Sequence, residues 1–100
     1  MNYELAKKLK DAGFYQYGRG YIFGDGSKLI EPHSYVPTLS ELINAVRASE
    51  WDSFYLNTYG GEVWYAEVKK MDSKDGELGR GTNGSNPEEA VARLWLAINL

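Results

Sequence analysis

Apolar residues recur along this chain with two different periods. Leu5, Leu9 and Ala12, with Ala6 beside them, follow helical spacing, while Lys7, Lys8 and Asp11 fall on the other side. Asn2 is a suitable cap before this stripe and Gly13 a suitable left-handed stop, so a helix is predicted from about Tyr3 to Ala12. A second helical stripe, Leu39, Leu42, Ile43 and Val46, begins just after Thr38, which with Glu41 has the spacing of a capping box. A third, Val91, Leu94, Trp95 and Ile98, follows Asn86-Pro87-Glu88-Glu89, where Asn86 is the cap and Pro87 suits the first helical position.

Between these stripes the period shortens to two. In "SFYLNTYGGEVWYAEVKKM" the residues Phe54, Leu56 and Thr58 share one face, and Tyr55, Asn57 and Tyr59 the other. Gly60-Gly61 breaks the run, after which Trp64, Ala66 and Val68 share a parity opposite to Val63, Tyr65 and Glu67; a hairpin is predicted. "YQYGRGYIF" puts Tyr15, Tyr17, Arg19, Tyr21 and Phe23 on one parity and leads into "GDGS", a turn signal. A partner strand is placed at about 28–31, resuming at 34–36. The predicted order is α-β-β-α-β-β-α, an α+β single domain spanning 1–100, with an antiparallel sheet of two hairpins and three helices mainly on one face. Leu42, Val46, Trp64, Leu94 and Trp95 are expected to form its core.

Composition narrows the chemistry. The chain has 100 residues, 43% hydrophobic and 25% charged, within the range of one folded domain. Its net charge is -3, with the excess acid in the second half, so it lacks the basic footprint of a nucleic-acid binder. No apolar run approaches the ~20 residues of a membrane span, and "MNYELAKKLKDAG" has no signal-peptide core, so a cytoplasmic protein without a membrane partner is expected. The absence of cysteine removes disulfides, thiolate metal sites and cysteine nucleophiles.

No catalytic constellation, metal site or cofactor is predicted. His33, the single histidine, stands next to Ser34, but neighbours in an extended segment point apart. Glu88 and Glu89 belong to helix capping, and Asp72, Asp75 and Glu77 do not follow a calcium-loop pattern. "GRGTNG", residues 79–84, matches a dinucleotide fingerprint without the βαβ unit such a site requires. It is read as a flexible loop before the last helix, with Arg80, Gly81 and Thr82 as a candidate anion site.

The remaining candidate is aromatic: Tyr15, Tyr17, Arg19, Tyr21, Tyr55, Asn57, Tyr59 and Tyr65 on the sheet face away from the helices. Three readings fit such a face: a homodimer interface, core, or a surface for a ligand or partner. The homodimer is the expected form, with the odd-parity face of "YQYGRGYIF" in its interface.

Three stretches, "ELAKKLKDAGF" at 4–14, "YVPTLSELI" at 35–43 and "NPEEAVARLWLAI" at 86–98, together resemble small uncharacterised proteins encoded in phages and prophages. That resemblance implies the cytoplasm of a host cell and an accessory role, such as binding a host protein to inhibit a defence. Residues 62–98 are also similar to the strand-loop-helix of HicB-type antitoxins, which implies toxin binding; the helical first half departs from that family. A sponge for small phosphorylated ligands, using Arg19, Arg80 and the tyrosines, and a structural or assembly protein are the other expectations.

Overall fold

A computed structural model describes residues 3–15, 21–22, 34–72 and 76–99. Its elements in chain order are α1 (Tyr3–Asp11), β1 (Tyr21–Ile22), β2 (Ser34–Tyr35), α2 (Leu39–Arg47), β3 (Ser53–Tyr59), β4 (Val63–Asp72), β5 (Gly76–Gly84) and α3 (Pro87–Asn99). The class is α+β with antiparallel strands and three helices, as the periodicities predict. Two details differ. Among the described residues the strands form a two-stranded ladder, β1-β2, and a three-stranded sheet in the order β3-β4-β5, with no pairing between the two where one sheet of two hairpins was expected. The glycine-rich segment before α3, expected as a loop, is the strand β5.

Each helix boundary has a local cause. The N-terminus of α2 carries the predicted capping box: the Thr38 amide donates to Glu41 Oε1 at 2.8 Å, and the Glu41 amide donates to Thr38 Oγ1 at 3.2 Å. At α3 the Glu89 amide donates to Asn86 Oδ1 at 2.8 Å. The Glu89 carboxylate reaches one residue further back than a standard box and accepts from the Ser85 amide at 3.1 Å. Helix α1 stops at Gly13, whose φ of 95° suits glycine. There the Gly13 amide donates to the Lys10 carbonyl (3.0 Å) and the Phe14 amide to the Leu9 carbonyl (2.8 Å), the two bonds of a Schellman motif. The predicted cap Asn2 lies outside the described residues.

The β3-β4 register pairs Phe54 with Val68, Leu56 with Ala66 and Thr58 with Trp64 on one face, and Tyr55 with Glu67, Asn57 with Tyr65 and Tyr59 with Val63 on the other. The turn uses Gly60 and Gly61, both left-handed at φ 67° and 76°. Helices α2 and α3 cover the first face. Leu42, Val46 and Leu94 are fully buried there with Leu9, Val68 and Val91, and Trp64 and Trp95 pack against this core from its margin. Phe14, placed by the Schellman turn, is also buried, and its ring meets that of Trp95 edge-on at 5.1 Å and 78°. Such a contact adds about 0.5–1.5 kcal/mol beyond burial and ties α1 to α3.

Strand β5 forms despite four glycines, against their low strand propensity. Its pairing with β4 runs from Trp64↔Gly84 to Asp72↔Gly76, and α3 presses on its far end. At Gly84 a side chain would collide with the Ala90 backbone in the first turn of α3. Replacing Gly84 by alanine should therefore cost about 1–3 kcal/mol through overpacking. Gly79→Ala, where an added carbon would meet the Val68 carbonyl oxygen at an ordinary 3.5 Å, should stay within about 0.5 kcal/mol of wild type. Chemical denaturation of the two variants checks this; equal stabilities would contradict the close approach. Trp95→Ala should cost about 3 kcal/mol, at the low end for a tryptophan because the ring is only partly covered.

Candidate functional site

The face of β3-β4-β5 turned away from the helices is formed by alternate residues of each strand. Tyr55, Asn57 and Tyr59 come from β3, and Val63, Tyr65, Glu67, Lys69 and Met71 from β4. On β5 the register adds Gly79, Gly81 and Asn83. The glycines leave the β5 side of the face low. Tyr65 uses that space: its ring lies across Gly81, where any side chain would collide with the phenol.

A polar chain runs along β4 in the middle of this face. The Tyr65 hydroxyl donates to Glu67 Oε2 at 3.2 Å. Glu67 Oε1 is 3.8 Å from Lys69 Nζ, and that ammonium sits 5.7 Å from the centroid of the Tyr55 ring. Consecutive same-face positions on a strand are close enough for such contacts, and the pleat holds them in one row. The Tyr65 phenol is pushed above its ordinary value, first by partial burial and then by the carboxylate that accepts its hydrogen bond. Around this row the surface is aromatic and apolar: Tyr59 is 68% exposed, Tyr55 48%, Val63 46% and Met71 71%.

The predicted aromatic residues separate into two groups. Tyr55, Asn57, Tyr59 and Tyr65 share the open face. Tyr15 follows the Schellman turn outside the three-stranded sheet, and Tyr21 pairs with Tyr35 in the two-stranded ladder. Tyr17, Arg19 and Phe23 lie outside the described residues, as does His33. Sequence reasoning put Val63 and Glu67 on the parity of Tyr65 without counting them in the candidate face, and did not reach Lys69 and Met71, although the same alternation places all four beside it.

Arg80, Gly81 and Thr82 are consecutive in β5, so Gly81 faces the opposite side from its neighbours. The Thr82 hydroxyl donates to the Ala90 carbonyl at 2.8 Å. At the start of α3 the Ser85 and Glu89 amides already donate to Glu89 and Asn86 side chains. The Thr82 hydroxyl and the Ser85 and Glu89 amides are thus engaged by the chain itself, while Arg80 is exposed on β5. Two clefts lie elsewhere. One of about 470 Å³ separates the end of α2 from β3, between Ile43, Arg47, Trp51 and Phe54. The other, about 740 Å³, runs between α1 and α3 over Leu5, Ala12 and Leu96, with Glu4, Lys8 and Asp11 at its exposed rim. No described helix is long and apolar enough to cross a membrane.

No protein-family model, curated protein or solved structure matches the chain.

Burial and the Glu67 carboxylate both favour the protonated Tyr65 phenol in the folded chain. Folding favours the protonated form, so this contribution to stability is complete below the ordinary tyrosine range and is lost as pH rises through the raised value. Unfolding free energy measured upward from about pH 10 should fall more steeply in wild type than in Tyr65→Phe. Parallel curves would contradict the Tyr65–Glu67 interaction.

Proposed function

We propose that this chain acts by binding, without catalysis, and that it recognises a protein through the open face of β3 and β4. The observation that supports this most strongly is the character of that face: exposed tyrosines, a valine and a methionine around a fixed, charge-compensated row. Exposed apolar area of this kind marks interaction surfaces. Tyrosine suits recognition, because it brings large area with little side-chain entropy to lose and a hydroxyl that finds a partner or water. The Tyr65–Glu67–Lys69 row orders polar groups before any partner arrives, which lowers the cost of binding. Catalysis needs groups converging on a reacting atom, whereas this face presents Tyr65, Glu67 and Lys69 side by side along one strand.

The resemblance of the three helix-bearing stretches to small phage-encoded proteins supports a host-cell protein as the partner, and inhibition of a defence as the consequence. On this reading the helices build the scaffold and the tyrosine face selects the target.

The test is capture of partner proteins from a host extract by the wild-type chain and by Tyr55→Ala/Tyr59→Ala. Both side chains are exposed, so the double variant should keep its far-ultraviolet circular dichroism and melting temperature. It should lose a protein that wild type retains, with affinity reduced by about tenfold or more, the loss of one to two hot-spot residues. Equal retention of the same protein by the two chains would rule out this face.

A further inference from the structure

We propose that the outer edge of β3 takes a second copy of this chain, antiparallel with Leu56 opposite Leu56, to make one continuous six-stranded sheet. Strand β4 is central and paired on both sides, so among the described residues β3 and β5 are the edges of the sheet. The two edges are unlike. Strand β5 carries Glu77, Arg80 and four glycines, and α3 packs over it. Strand β3, "SFYLNTY", has no charge, proline or glycine, and its seven residues pair with β4 without a bulge. Among the described residues nothing hydrogen-bonds to its outer backbone. Exposed edges are ordinarily guarded by charge, proline or a bulge, and this one has none of them.

Neutrality matters most for self-pairing. In an isologous pair the strand meets its own copy, so charges near the two-fold axis face like charges. Strand β4 contains Glu67, Lys69, Lys70 and Asp72; β3 is the one strand of the sheet that meets its copy with no charge at all.

Centring on Leu56 uses the whole strand: Ser53 faces Tyr59, Phe54 faces Thr58 and Tyr55 faces Asn57. Opposed residues of an antiparallel pair project to the same side. Phe54, Leu56 and Thr58 of both copies then lie on the helix side, and Tyr55, Asn57 and Tyr59 of both on the open side. Both helix layers end up on one side of the joined sheet. Within one copy Phe54 and Leu56 are only half-buried, and the cleft of about 470 Å³ beside α2 reaches Phe54. A second Leu56 at the axis covers this incomplete margin of the core. The same step aligns two tyrosine faces into one surface.

Sedimentation velocity of the purified full chain tests the proposal. Wild type should sediment as a dimer. Tyr55→Lys/Asn57→Lys, which sets like charges directly opposite each other twice, should halve the mass with unchanged circular dichroism. Tyr55→Glu/Asn57→Lys sets opposite charges across the axis and should remain dimeric, as should Val63→Lys/Met71→Lys, on the same face but away from the edge. A monomeric wild type, or a dimer that survives Tyr55→Lys/Asn57→Lys, would overturn the proposal. Dissociation of the Val63→Lys/Met71→Lys variant would show that copies stack through the open face instead. Dissociation of Tyr55→Glu/Asn57→Lys would refute the Leu56 register.

Discussion

The close approach of β5 to α3 governs the rest of this structure. At Gly84 the strand backbone comes so near to Ala90 that no side chain fits. Two further contacts hold the corner: the Thr82 hydroxyl on the Ala90 carbonyl at 2.8 Å, and Arg93 on the Asn83 carbonyl at 3.0 Å. The turn between them is closed by the Asn86 cap and the Glu89–Ser85 bond. With both ends of a short connection fixed, α3 must lie across the sheet, and its stripe of Val91 and Leu94 meets Ala66 and Val68. The sheet acquires a core side and an open side from this one junction.

That sidedness decides where the other helices go. Helix α2 packs beside α3, and α1 joins them through Leu5, Leu9 and the Phe14–Trp95 ring pair. Every helix is committed to the core side, so the alternate residues of β3 and β4 have no described element over them. The exposed tyrosines are therefore a product of topology, and the Tyr65–Glu67–Lys69 row keeps their polar setting ordered. The small side chains of β5 serve both sides at once. Gly84 admits the helix on one side, and Gly81 admits the Tyr65 ring on the other.

Much of this was legible in the order of residues. Thr38 with Glu41, and Asn86 before Pro87, announce helix starts because few other residue types satisfy the first amides of a helix. Parity located the open face, since Tyr55, Asn57, Tyr59 and Tyr65 can reach one side of a hairpin only together. Strand β5 was not legible. Its glycines resemble a loop locally, and the reason they are tolerated lies in α3 and Tyr65, which are distant contacts that no window of sequence contains. Phe14 was missed for a related reason: it follows the helix stop, and only the Schellman geometry turns it inward. The first hairpin shows the limit of parity, which assigns residues to a face but does not say which sheet the strand joins.

The sheet has one closed and one open side, and hydroxyl-radical footprinting of the purified chain measures this directly. Tyr55, Tyr59 and Met71 should oxidise fast, while Phe14, Leu42 and Leu94, behind the sheet, should oxidise slowly. Protection of Tyr55 and Tyr59 to the level of Phe14 in the isolated chain would contradict the account.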